Sequence, residues 1–125
     1  MIMGSSVMYF IEKNAVSKDF SYPDDYVSFV NSCRELERPW WLLGKRPNFT
    51  MRCFKILNED LSSEKTLIPF AKSDDSGDIA CFDGDDSTGN PKIYFYTGES
   101  DLRYVNWGSR YSIDSFSDFL SSIGN

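Results

Sequence analysis

The 125 residues contain no histidine. The commonest general base, proton shuttle and metal ligand is therefore missing, which removes Ser-His and Cys-His catalysis and most zinc chemistry. Cysteine is scarce: Cys33, Cys53 and Cys81 are odd in number, lack CxxC spacing and stand among apolar neighbours. They read as reduced core residues of a cytosolic protein. The opening MIMGSSVMYFIEK has no positively charged start, and its apolar content is too short and broken for a secretion signal or a membrane span. A cytoplasmic protein with no membrane partner is the expectation. Basic residues are the minority, 13 against 19 acidic, for a formal charge of −6. Such a surface repels nucleic acid and suits a basic partner, although solubility alone also explains it.

What the sequence does have is apolar and aromatic material. Hydrophobic residues make up 41% and aromatics 16%, including ten Phe, seven Tyr and three Trp. That supply is enough for one unit over 1–125 to fold without staples, and no linker or repeat divides it. A short helix is expected around Val7 to Lys13. A second opens at Pro23, with Asp24 and Asp25 at the positive end of its dipole. There Tyr26, Phe29, Val30 and Cys33 fall at i, i+3, i+4 and i+7. From Pro39 the pattern suggests a hairpin: Trp40 to Leu43, a basic tip at Lys45 and Arg46, then Phe49 to Leu57 with alternating apolar positions. Ile79 to Phe82 and Ile93 to Tyr96 are apolar at every position and read as adjacent central strands joined by the turn Asp83 to Asn90. A last helix over Ser115 to Ile123 carries Phe116, Phe119, Leu120 and Ile123 on one face. Ser115 and Asp118 resemble a capping box, and Gly124 suits the residue past the helix end. The expected class is α+β, a central antiparallel sheet packed on one face by N-terminal and C-terminal helices.

The stretch LIPFAKSDDSGDIACFD, Leu67 to Asp83, resembles the signature of the SUKH superfamily, which groups fungal cell-wall synthesis regulators with bacterial immunity proteins. Three other pieces fall in the expected order: Pro-acid-acid-Tyr-x-x-Phe at Pro23 to Phe29, the strand at Ile93 to Tyr96, and Ser-Phe-x-x-Phe-Leu at Ser115 to Leu120. The chain departs from the family pattern at Ser76, where a second glycine is usual, and at Asn31-Ser32-Cys33, where Asn-Gly is usual. The segment with Trp40 and Trp41 matches no part of that pattern. The resemblance gives Pro69, Phe70, Gly77 and Asp78 structural roles. It implies a binding protein, without cofactor or metal, whose partner is a cognate toxin of nuclease or deaminase type. An endogenous partner, as for the fungal regulators, is the alternative.

Six aspartates, Asp74, Asp75, Asp78, Asp83, Asp85 and Asp86, lie on turns beside two strands. Placed at one end of the sheet, they would form an acidic patch able to occupy a cationic groove on a toxin. The plainer reading is that turns favour aspartate because its carboxylate bonds nearby amides, which is the role expected for Asp78. Asp83-x-Asp85-x-Ser87 begins like an EF-hand loop, but the sixth position is Thr88, the twelfth is Tyr94, and the flanks are not helical. Solvated turn carboxylates lack the apolar walls that separate the pKa values of an acid-base pair, so no residue is assigned a catalytic role. Trp40 and Trp41 must point to opposite faces of one strand, which would make one a core residue and the other a surface anchor or a sugar-stacking platform; the plainer alternative is that sheet and helices bury both. Trp107 carries the same ambiguity.

Overall fold

The computed structural model describes residues 9–11, 15–60, 65–96 and 110–125. In chain order these form helix α1 (Asp24–Asn31), strand β1 (Trp40–Leu42), a 3-10 turn (Leu43–Lys45), helix α2 (Phe49–Asp60), strands β2 (Leu67–Ser73), β3 (Ile79–Asp83) and β4 (Ile93–Tyr96), and helix α3 (Phe116–Ile123). The strands make one antiparallel sheet in the order β1-β2-β3-β4. The α+β class is as expected.

Side chains alternate between the two sheet faces, and the two faces have different coverings. On the first, Ile68, Phe70, Phe82 and Ile93 are fully buried under Tyr26 and Phe29 of α1 and Phe116 and Phe119 of α3. Phe70 stacks on Phe82 with centroids 4.2 Å apart, and Tyr26, Phe116 and Phe119 meet Phe70 edge-on at 5.6, 5.7 and 5.4 Å. Each such ring, fully buried, contributes roughly 1.5–3 kcal/mol. That exceeds what any exposed ion pair supplies, so this cluster holds the two terminal helices in place. Asp25 adds a polar tie: its Oδ2 accepts hydrogen bonds from the Ser117 N–H and Oγ, at 3.0 and 2.8 Å, so an acid of α1 serves the open N-terminus of α3. Ser115 Oγ accepts from the Asp118 N–H at 3.1 Å, and Gly124, with φ 91°, closes the C-terminus.

Two features of β2 explain its motif. Pro69 pairs with Cys81 and has no N–H to donate, and the register shifts between Pro69 and Ala71. A bulge there absorbs the missing donor and puts Ile68, Phe70 and Ala71 all against the first-face core. Beyond it, Ser73 is buried. Its Oγ accepts from the amides of Asp75 and Ser76, and its own N–H donates to the Asp78 carbonyl, while Gly77 takes the left-handed φ of 78° that the turn requires. Asp78 serves this turn through its main chain, its carbonyl accepting from Ser73 and its N–H donating to Ser76 Oγ, and not through the carboxylate–amide bonds expected of it.

Several expectations are corrected. Phe49 to Leu57 is helix, not strand. Thr50, Cys53, Phe54, Leu57 and Asn58 fall at i, i+3, i+4, i+7 and i+8, and all are buried or half-buried, while Ile56, off that helical face, is 60% exposed. Both periods fit the apolar residues of that run, and only the tertiary contact selects one. Leu57 packs with Leu67, Cys81 and Tyr94 on the second sheet face. Asn58 locks it there, donating to the carbonyls of Phe54 and Leu67 and accepting the Leu67 N–H. The sheet is consequently covered on both faces, and Lys45 and Arg46 belong to a 3-10 turn and its end rather than to a hairpin tip.

Among the described residues β4 lies at the edge of the sheet rather than at its centre: β3 pairs with it on one side, and only the Ile93–Ile113 bridge meets the other. Apolar residues on both faces report covering above and below, not lateral neighbours. Cys33 is not a core residue. It lies exposed just past α1 with φ 59°, because α1 ends at Asn31 and the i+7 position falls off its apolar face. Cys81 is buried and Cys53 half-buried, and burial pushes both thiols up from their ordinary range. The expected helix over Val7 to Lys13 falls mostly outside the described residues, as does Trp107.

Candidate protein-binding groove at the sheet edge

The six aspartates do not converge, contrary to the expectation of one acidic patch. In an antiparallel meander the β2–β3 turn and the β3–β4 turn lie at opposite ends of β3, so Asp74, Asp75 and Asp78 sit a strand length away from Asp83, Asp85 and Asp86. The second group is engaged within the protein. Lys65 Nζ lies 2.8 Å from Asp83 Oδ1 and 4.0 Å from Asp85 Oδ2, with the Lys65 and Asp83 side chains only 12% and 15% exposed. Asp85 Oδ2 accepts the Thr66 N–H, and Asp86 Oδ1 accepts both the amide and the hydroxyl of Thr88. These carboxylates organise the turn, as the plainer reading held. Among the described residues no cluster of His, Cys, Asp or Glu can hold a metal ion.

Trp40 and Trp41 do diverge. Trp40 turns to the first face and meets Phe119 edge-on at 5.3 Å and Phe95 at 6.0 Å. Trp41 turns to the second face at the sheet margin, half-buried, where it stacks on Phe49, the first residue of α2, at 5.7 Å and 24°. Its indole Nε1 donates to Asp74 Oδ1 at 2.9 Å, and the Arg46 guanidinium lies 4.7 Å from its ring centre and 5.7 Å from that of Phe49. Trp41, Asp74, Arg46 and Phe49 thereby form one partly exposed cluster.

The cluster borders a groove of about 690 Å³ along the edge strand, lined also by Glu35, Leu36, Arg38, Pro39, Trp40 and Lys45. Its far wall is fixed by Asn125, whose side chain bridges the Glu35 carbonyl and the Glu37 N–H. Lys45 and Glu35 pair at 3.2 Å across the rim. Arginine with half-buried tryptophan is the composition that concentrates binding energy at protein interfaces. Sequence reasoning found Trp41 and Asp74 but not Arg46, Phe49, Arg38 or Glu35. The available signal was an arginine five residues after a tryptophan, obscured because the following helix was read as a strand.

These features define an α+β protein whose sheet is layered by helices on both faces and bears an open, mixed-charge groove at its first strand. The chain belongs to the SMI1 / KNR4 family (SUKH-1), whose family model matches residues 11–122. All four motif segments named above lie inside that span. No curated protein and no solved structure matches the chain. Among the described residues no helix is long and apolar enough to cross a membrane.

Proposed function

We propose that this protein is a non-enzymatic immunity protein that acts in the cytoplasm as one unit over 1–125, binding a toxin domain of nuclease or deaminase type and occluding its active site. The observation that carries the reading is the family match across residues 11–122, a family that includes toxin-immunity proteins. The groove beside Trp41 supports it, because it supplies a fixed aromatic-arginine anchor for a protein partner. The net charge of −6 steers a basic toxin toward the protein over several ångströms, without the acidic turns having to make the contacts.

Because an immunity protein is made alongside the toxin it restrains, the test begins with the reading frames flanking the gene. The expected finding is a neighbouring frame ending in a small toxic domain that arrests growth alone, co-purifies with this protein and is harmless when the two are co-expressed. A housekeeping neighbourhood, with a stable endogenous partner and a growth defect on deletion, would instead establish a regulatory binding module.

A further inference from the structure

We propose that the groove along β1 receives a carboxylate-bearing segment of the partner, with Arg38 and Arg46 as its receptors. This deepens the immunity reading by naming what the partner presents, a local acidic element on a protein that is basic overall. The lining carries three cations, Arg38, Lys45 and Arg46, against two anions, Glu35 and Asp74, on a protein that is acidic as a whole. With three cations to two anions the lining keeps a net charge of +1, and neither anion pairs directly with an arginine. Glu35 pairs with Lys45, and Asp74 is occupied by the Trp41 indole. Among the described residues neither Arg38 nor Arg46 has an ion-pair partner. Arg46 places its guanidinium over the rings of Trp41 and Phe49, and a guanidinium held by rings retains N–H donors suited to a carboxylate. The rim pair Lys45–Glu35 is exposed, 40% and 76%, and such a pair is held weakly enough for Lys45 to exchange Glu35 for an incoming carboxylate. Leu36, Pro39 and Trp40 supply an apolar floor for the rest of the segment.

The test uses the full chain at low salt, with the Trp41 indole N–H proton resonance, assigned through W41F, as reporter. An acetylated tetraglutamate peptide should shift it saturably. Acetylated tetralysine and tetrathymidylate should not. R46E and R38E should each weaken the response by about tenfold or more, because each replaces a receptor with a like charge. Arg38 makes no hydrogen bond or ion pair within the described residues, so R38E keeps the test valid if R46E disturbs the stack. No shift with the glutamate peptide, an equal shift with either control, or an undiminished response in both variants would overturn the proposal. Toxin protection that survives in the R38E/R46E double variant would overturn it as well while leaving the immunity reading intact, whereas a wild-type protein that protects against no neighbouring toxin removes the immunity reading alone.

Discussion

At the β3–β4 end of the sheet, Asp83, Asp85 and Asp86 face Lys65, the Thr66 amide and Thr88, and the turn is sealed onto the segment that follows α2. At the β2–β3 end, Asp74 gives its carboxylate to Trp41 at the rim of an open groove, and Asp75 is exposed. The two turns are nearly the same in composition. Their difference shows that a cluster of aspartates acquires its role from what the neighbouring chain brings to it: a lysine with a mostly buried stem makes one turn structural, and a half-exposed tryptophan makes the other part of a surface.

The comparison breaks first at Lys65. K65M leaves Asp83 mostly buried without its cation, and the expected loss is about 3 kcal/mol, toward the lower end of buried-pair disruptions because both groups keep some solvent. Urea unfolding that shows less than about 0.5 kcal/mol would mean the turn is held by its backbone bonds alone. Next come the two turn glycines. A Cβ at Gly84 would stand 2.9 Å from both the Thr66 carbonyl oxygen and its Cγ2, so G84A must push backbone aside and should cost about 2 kcal/mol. Gly77 has open space around it and only the left-handed φ of 78° to lose, so G77A should cost about 1 kcal/mol. Equal melting temperatures for the two variants would erase the distinction between a sealed and an open turn. The smallest stability effect is expected at Asp74. D74N should change stability by less than about 0.5 kcal/mol, since its contact is exposed, yet it should alter Trp41 fluorescence by weakening the bond to the indole N–H. A large loss of stability there would move Asp74 into the structural class.

Much of the fold was legible in the sequence. Asp24 and Asp25 after Pro23, followed by Tyr26 and Phe29, give α1. Ser115, Phe116, Phe119 and Gly124 give α3, and the apolar runs Ile79 to Phe82 and Ile93 to Tyr96 with the turn between them give the β3–β4 pair. Helix α2 was not legible, because Phe49, Met51 and Cys53 satisfy a period of two as readily as Thr50, Phe54 and Leu57 satisfy 3.6. The groove was half legible. Trp41 and Asp74 are 33 residues apart and Arg46 and Phe49 sat on a segment assigned to the wrong element, so no local pattern joined them.

By itself, then, the sequence determined the terminal helices, the alternation that loads both sheet faces, the capping and turn residues, and the exclusion of histidine chemistry. These are local or periodic properties, set by sterics and hydrophobic spacing within a few residues. Only the tertiary structure decided that α2 covers the second face, that the acidic turns lie at opposite ends of β3, and that Trp41, Arg46, Phe49 and Asp74 meet at one edge. Those facts depend on strand order and on contacts between residues distant in the chain, where a periodic pattern gives the face a side chain takes but not the neighbour it finds there.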